Sequence, residues 1–238
     1  MDLKQIEFWE KHYLEKISFI LLQDIDKMMV GLKSKDKIKN DWIEHFKKSA
    51  DKNSDFARGA ERIYFWLFNQ LGIPNSSPIG ADLFFETYNA FVHIDVKTAK
   101  IDNPSDYKGK IPLGKNQTSY QSPDQRYEVS LPTIYSYQNK VCLTYFINII
   151  YEELEDSLDV KGIFLICVPN GELFPVYESA IVSASKIKGK GFRYHYKKIP
   201  NFLLLENKPF RLKKIFLSPE FLDSTKALLG IELEKCNE

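Results

Sequence analysis

The stretch from Gly80 to Lys100 constrains this chain more than any other. Two apolar-rich runs, Asp82 to Thr87 and Phe91 to Ala99, flank a short turn that includes Asn89, the pattern of a β-hairpin. Two registers fit it. A turn of Tyr88 and Asn89 sets Asp82 directly across from Asp95, whereas a turn of Asn89 and Ala90 sets it across from Lys97. Side chains alternate along a strand, so in either register Asp82, Asp95 and Lys97 share one face while Ile94 and Val96 take the other.

Opposed side chains in an antiparallel pair have Cβ atoms only ~5 Å apart, and two bare carboxylates at that distance repel. A positive partner is expected between them. A divalent metal held by Asp82 and Asp95, with Lys97 alongside, meets that need and makes a site for phosphodiester hydrolysis. The alternative is a solvated hairpin face whose charges happen to align. Against it stands the apolar company of Asp95 in Val92-His93-Ile94-Asp95-Val96.

At these residues the chain resembles the PD-(D/E)xK nuclease superfamily, in which an acid on one strand is followed by acid-x-Lys on the next. Here these are Asp82 and Asp95-Val96-Lys97. The run Ile94-Asp95-Val96-Lys97-Thr98 is similar in particular to the blunt-cutting branch of the type II restriction endonucleases. Ala81 stands where that family usually has proline, a position that is not a ligand. The resemblance implies an α/β fold with a mixed central β-sheet flanked by helices. It also implies Mg2+ as cofactor, double-stranded DNA as substrate, and a homodimer whose two-fold symmetry mirrors that of its site.

The 238 residues suit one sizeable domain. Within it we expect a helical part at 1–50, a catalytic core at 55–168 and a closing, DNA-binding part at 169–238. A net charge of +1 rules out a global field that draws in polyanions, so any DNA surface must come from local clustering. The three cysteines, Cys142, Cys167 and Cys236, have no metal-ligand spacing and point to a reducing, cytoplasmic setting. Met1 to Lys16 is charged throughout and lacks a signal-peptide pattern. The longest apolar run, Val141 to Tyr151, contains Thr144 and Asn148 and is short of the ~20 residues that span a bilayer, so no membrane partner is expected.

Residues 2–30 read as one or two helices, with Ile6, Trp9, Tyr13, Ile17 and Ile20 at helical spacing, ending at Gly31. A second amphipathic helix is expected over Lys33 to Lys48, and a third over Asp55 to Leu71 with Gly72 and Pro74 as its stop. Glu61 on that third helix lies on a mainly apolar stripe and needs a partner. Either Arg58 or Arg62 pairs with it, or, as the resemblance implies, it is the helix acid that stands beside the metal. Glu86 is expected to be solvated, and His93 to be a hydrogen-bonded neighbour of the site.

Residues 101–130 lose periodicity and turn polar, and read either as a functional insert or as a surface excursion. The candidate DNA contacts here are Lys100, Lys115, Asn116, Gln117, Thr118 and Ser119, since Asn and Gln can bond adenine in the major groove. Val141 to Ile150 and Gly162 to Val168 are strand candidates, the second turning through Asn170-Gly171 into Glu172 to Tyr177, with an acidic loop or helix end at Glu152 to Asp159. Between Lys186 and Lys198, Lys188, Lys190 and Arg193 alternate with glycines and aromatics. That pattern fits a flexible arm on nucleic acid or an edge strand guarded by lysines. Strands over Phe202 to Leu205 and Ile215 to Leu217 and a closing helix over Pro219 to Leu229 complete the expectation. A structure-selective nuclease of the same fold and a non-catalytic DNA-binding module are the two other functional readings.

Overall fold

A computed structural model describes residues 1–23, 25–33, 73–74, 82–114, 117–120, 139–155, 157–185 and 191–233. The helices expected over Lys33 to Lys48 and Asp55 to Leu71 lie outside the described residues, apart from Lys33 itself. The N-terminal stripe forms α1 (Leu3–Gln23), followed by α2 (Ile25–Lys33). Ile6, Tyr13, Ile17 and Ile20 are buried, as their helical spacing requires, and Trp9 packs at the edge of the core.

The central sheet is mixed. Its strands are β1 (Ile73–Pro74), β2 (Leu83–Glu86), β3 (Ala90–Lys100), β5 (Val141–Glu153), β6 (Leu158–Val168) and β9 (Leu212–Leu217), in the order β1-β2-β3-β5-β6-β9. Among the described strands only β3 and β5 run parallel, from Ala90↔Val141 to Lys100↔Tyr151. A parallel pair needs a long crossover, and residues 101–140 supply it. This explains why the chain between the two strands carries no hairpin signal. β5 is buried on both faces from Val141 to Ile150, so its apolar run is continuous rather than alternating.

A second sheet of three strands, β4 (Ile111–Gly114), β8 (Gly191–Tyr194) and β7 (Val182–Ala184), has β8 at its centre. A Cβ on Gly191 would meet the Leu113 carbonyl oxygen at 2.6 Å, so the pairing of β4 with β8 demands glycine there.

Several expectations are corrected. Residues 111–114 are a strand inside the stretch that looks irregular. Phe192, Tyr194 and Tyr196 are buried, so residues 191–196 belong to the fold and are not an arm, while Lys188 and Lys190 lie outside the described residues. Asn170-Gly171 does not turn into a strand. The Asn170 side chain accepts from the Glu172 N–H at 2.9 Å and caps a 3-10 turn that continues as α3 (Phe174–Tyr177). Glu152 and Glu153 end β5, Asp159 lies in β6, and Glu152, Asp159 and Glu220 surround Lys161 at 2.7–2.9 Å. Residues 203–205 form bends, and no strand runs over 202–205. The closing helix is a 3-10 turn at Pro219–Phe221 and α4 (Lys226–Leu229), capped by Gly230 at φ +74°.

One buried ion cluster fastens α1 to the sheet. Glu7 and Glu10, one turn apart, meet Arg211 Nη2 at 3.2 and 2.7 Å, and all three residues are fully buried. The guanidinium also stacks on the rings of Phe202 and Tyr177, at 4.2 and 4.6 Å from their centroids. Glu7 accepts from the backbone N–H groups of Leu203 and Leu204, and Glu10 from that of Asn170. Further along α1, the Tyr13 hydroxyl lies 2.7 Å from both Thr87 Oγ1 and Asn89 Oδ1 and pins the hairpin turn. Among the described residues no helix is long and apolar enough to cross a membrane.

Burial raises the Glu10 carboxyl to about 7, against the opposing pull of Arg211. The folded state therefore binds this proton more tightly than the unfolded chain, and Glu10's stability contribution falls as pH rises from its ordinary value of 4.5 through 7. Thermal melts of wild type and Glu10→Gln between about pH 5 and 8 should show a shallower decline in the variant. Arg211→Ala strands two buried acids and should cost about 3–5 kcal/mol in urea unfolding.

Candidate active site

The hairpin takes the register of a Tyr88–Asn89 turn. Leu83 pairs with Ile94, Phe84 with His93 and Glu86 with Phe91, and the Thr87 N–H donates to the Ala90 carbonyl at 2.9 Å. Asp82, one residue before β2, therefore comes beside Asp95, and the alternative pairing with Lys97 is excluded. Asp82 Oδ2 accepts from the Val96 N–H at 2.7 Å, so the side chain completes the ladder where the strand ends.

Asp95 is 1 % exposed, with Phe146 of β5 as its parallel neighbour. Burial pushes its carboxyl up to about 7. Lys97 pulls it down, and Asp82 pushes it up again. Its two oxygens have different surroundings. Oδ1 accepts from Gln117 Nε2 at 3.0 Å, while Oδ2 forms an ion pair with Lys97 Nζ and has no well-directed hydrogen bond among the described residues. The Lys97 ammonium also lies 5.7 Å from the centre of the Phe146 ring.

Two carboxyl groups share one ammonium here, so the corner is under-neutralised once both are ionised. An under-neutralised pair of hard oxygens is a donor set that suits a small divalent cation, which typically takes one or two carboxylates and completes its shell from water and substrate phosphate. Among the described residues no group of three or more His, Cys, Asp and Glu assembles as a metal site. Glu61, the third acid expected, lies outside the described residues.

Gln117 is placed differently from expectation. Its Nε2 bonds Asp95, and its Oε1 accepts from the Gly114 N–H at 2.7 Å, so both ends of the amide are spent on the site. Thr118 and Ser119 are buried. Their hydroxyls accept from the backbone N–H groups of Tyr120 and Gly171, at 3.1 and 2.9 Å, and shape the crossover. Lys100 pairs with Glu153 at 2.5 Å, and Arg193 with Asp106 at 2.7 Å and the Ser105 carbonyl at 2.8 Å. Lys115 and Asn116 lie outside the described residues.

Glu86 keeps partial contact with solvent, its side chain 30 % exposed, and also pairs with Lys140 at 2.5 Å. His93 is buried against the Phe84 ring, with Nε2 2.9 Å from Cys142 Sγ, and burial lowers it to about 3. An imidazole held neutral in that setting supports the pairing of β2 and β3. Asn148 was not expected here. It is the parallel neighbour of Lys97, and its polar interruption of the apolar Val141 to Ile150 run was the available signal.

Removing the Gln117 amide should leave Asp95 Oδ1 without its donor. In Gln117→Ala, the Asp95 carboxyl should titrate higher still in carbon-detected NMR, and an unchanged titration would show that the contact is not made in solution.

Known proteins show the same architecture. The family model described as type II restriction enzyme MwoI, N-terminal domain, matches residues 2–157, and that for the MwoI central domain matches residues 160–217. The two regions share one sheet, because β5 and β6 pair across their boundary. Among solved structures, the tetrameric restriction endonuclease SfiI bound to cognate DNA is similar at 16 % identity and a TM-score of 0.65, over 92 % of this chain and 87 % of that one. The restriction endonuclease BglI bound to its DNA recognition sequence is similar at 16 % identity and a TM-score of 0.63, over 88 % and 90 %. The chain matches none of the curated proteins compared.

Proposed function

Since this chain belongs to the family of the type II restriction enzyme MwoI, we propose that Asp82, Asp95 and Lys97 form the hydrolytic centre with which it cuts double-stranded DNA at a specific sequence, using Mg2+. The observation that carries this is the buried Asp95, flanked by Asp82 and Lys97, with one oxygen lacking a directed hydrogen bond. The DNA held by the two similar restriction enzymes supports double-stranded DNA as the substrate.

Each residue has a distinct task. Asp82 and Asp95 would hold the cation, which would supply Lewis-acid polarisation of the phosphate and activation of water. A carboxyl poised near 7 is easily deprotonated in exchange for a cation, so the raised Asp95 tunes the site to load near neutral pH. Lys97 places a positive charge where negative charge grows on the phosphorus oxygens in the transition state. Phe146 and the sheet behind Asp95 keep water from its carboxyl, while Lys97 and Asp82 face outward from it. Gln117 fixes the rotamer of Asp95 through Oδ1. Glu61 remains a candidate for orienting the attacking water, and Lys115, Asn116, Lys188 and Lys190 for contacts to DNA. A homodimer on a two-fold symmetric site is the assembly that fits a site-specific double-strand cut.

Separate variants divide these roles. Asp82→Asn and Asp95→Asn should lose cleavage together with calcium-stimulated binding of the cognate duplex, because each removes a cation ligand. Lys97→Ala should keep that binding and lose at least ~100-fold in cleavage rate, the scale of one missing electrostatic stabiliser. Near wild-type cleavage by Lys97→Ala or Asp95→Asn would refute the assignment.

A further inference from the structure

Asn148 breaks the pattern of its strand. The stretch Val141 to Ile150 is buried on both faces, a setting that favours apolar side chains. Asn148 is 0 % exposed, yet among the described residues neither Oδ1 nor Nδ2 has a hydrogen-bond partner. Burying an unpaired amide costs free energy that an apolar side chain of the same size would not, so a stable fold alone gives no reason for asparagine. Positions that break a packing rule without local compensation are expected at functional sites.

Its place on the sheet shows what it can serve. Asn148 is the parallel partner of Lys97, and neighbouring strands lie ~4.8 Å apart with paired side chains on the same face. On that face Lys97 now leans on Asp95 Oδ2, the oxygen with no other directed partner. That arrangement cannot persist when Asp95 holds a cation, because the ammonium and the cation would repel each other over one oxygen. The ammonium then needs another acceptor within reach of its flexible stem, and Asn148 Oδ1 has both lone pairs free.

We propose that Asn148 is a positioning residue for Lys97, whose carboxamide oxygen seats the ammonium when Asp95 is committed to a cation. The inference rests on the reading of Asp95 and Lys97 as the hydrolytic centre. It explains why an unpaired amide is kept beside the one lysine of the motif. Asn148 itself touches neither DNA nor the reacting phosphate in this account.

The test is Asn148→Leu, with Asn148→Val as a second variant of smaller volume, each made in wild-type and Lys97→Ala backgrounds. The metal-free Asn148→Leu or Asn148→Val protein should melt at or above the wild-type temperature. Its single-turnover cleavage rate should fall at least tenfold, with KM and calcium-stimulated binding of cognate DNA unchanged. In the Lys97→Ala background the same substitution should change the residual rate no further, since a residue that acts through Lys97 has nothing left to position. A wild-type rate in both variants, a multiplicative loss on top of Lys97→Ala, or lower melting temperatures for both would overturn the proposal. Wild-type cleavage by Lys97→Ala alone would instead overturn the underlying reading of the site.

Discussion

The Arg211 guanidinium, buried between Glu7 and Glu10, is the interaction on which the arrangement of this chain depends. It joins the first helix to the segment entering β9, while the same two acids receive the backbone of residues 203–204 and 170. A buried ion cluster of this kind is weak evidence for net stability, since desolvation offsets much of the attraction. Its effect is to forbid alternatives. Any other docking of α1 would leave three charges unpaired in an apolar core. With α1 fixed, Tyr145 reaches the Glu10 carbonyl at 2.9 Å and Tyr13, the next turn of the same helix, holds the hairpin turn where β2 and β3 meet.

The central sheet separates scaffold from chemistry. On β3, Val92, Ile94 and Val96 share the face of Tyr145, which bonds α1, whereas His93, Asp95 and Lys97 share the opposite face with Phe146 and Asn148. The single parallel pair, β3 with β5, puts the acid and lysine of one strand in register with an aromatic and an amide of the next. The crossover this pairing requires then returns Gln117 to Asp95. A charged group placed among buried strands has its titration shifted by desolvation, and the raised Asp95 carboxyl is the result.

What was legible in the sequence was local. Alternation over Phe91 to Ala99 and the short turn gave the hairpin face, and the helical spacing of Ile6, Tyr13 and Ile17 gave the buried side of α1. The Asp82, Asp95 and Lys97 constellation needed only the pairing of two adjacent strands. What was missed depends on partners distant in sequence. Gln117 looked like a base reader because nothing near it in the chain announces Asp95. The partner of Glu86 is not legible locally, because Lys140 is far along the chain. Residues 111–114 and 191–194 are short runs that become a sheet only on meeting each other. Asn170-Gly171 carries a hairpin-turn dipeptide, yet Pro175 follows, and the Asn170 side chain caps a helical turn instead.

We propose that the hairpin of Asp82, Asp95 and Lys97 makes this chain a cation-dependent, site-specific deoxyribonuclease. Digestion of a plasmid of known sequence by the purified wild-type protein tests it most directly, with Mg2+ in one arm and excess chelator in the other. The account predicts a discrete, reproducible set of fragments with Mg2+ and intact plasmid with chelator. Cleavage that persists in chelator, a smear without defined ends, or intact DNA in both arms would contradict it.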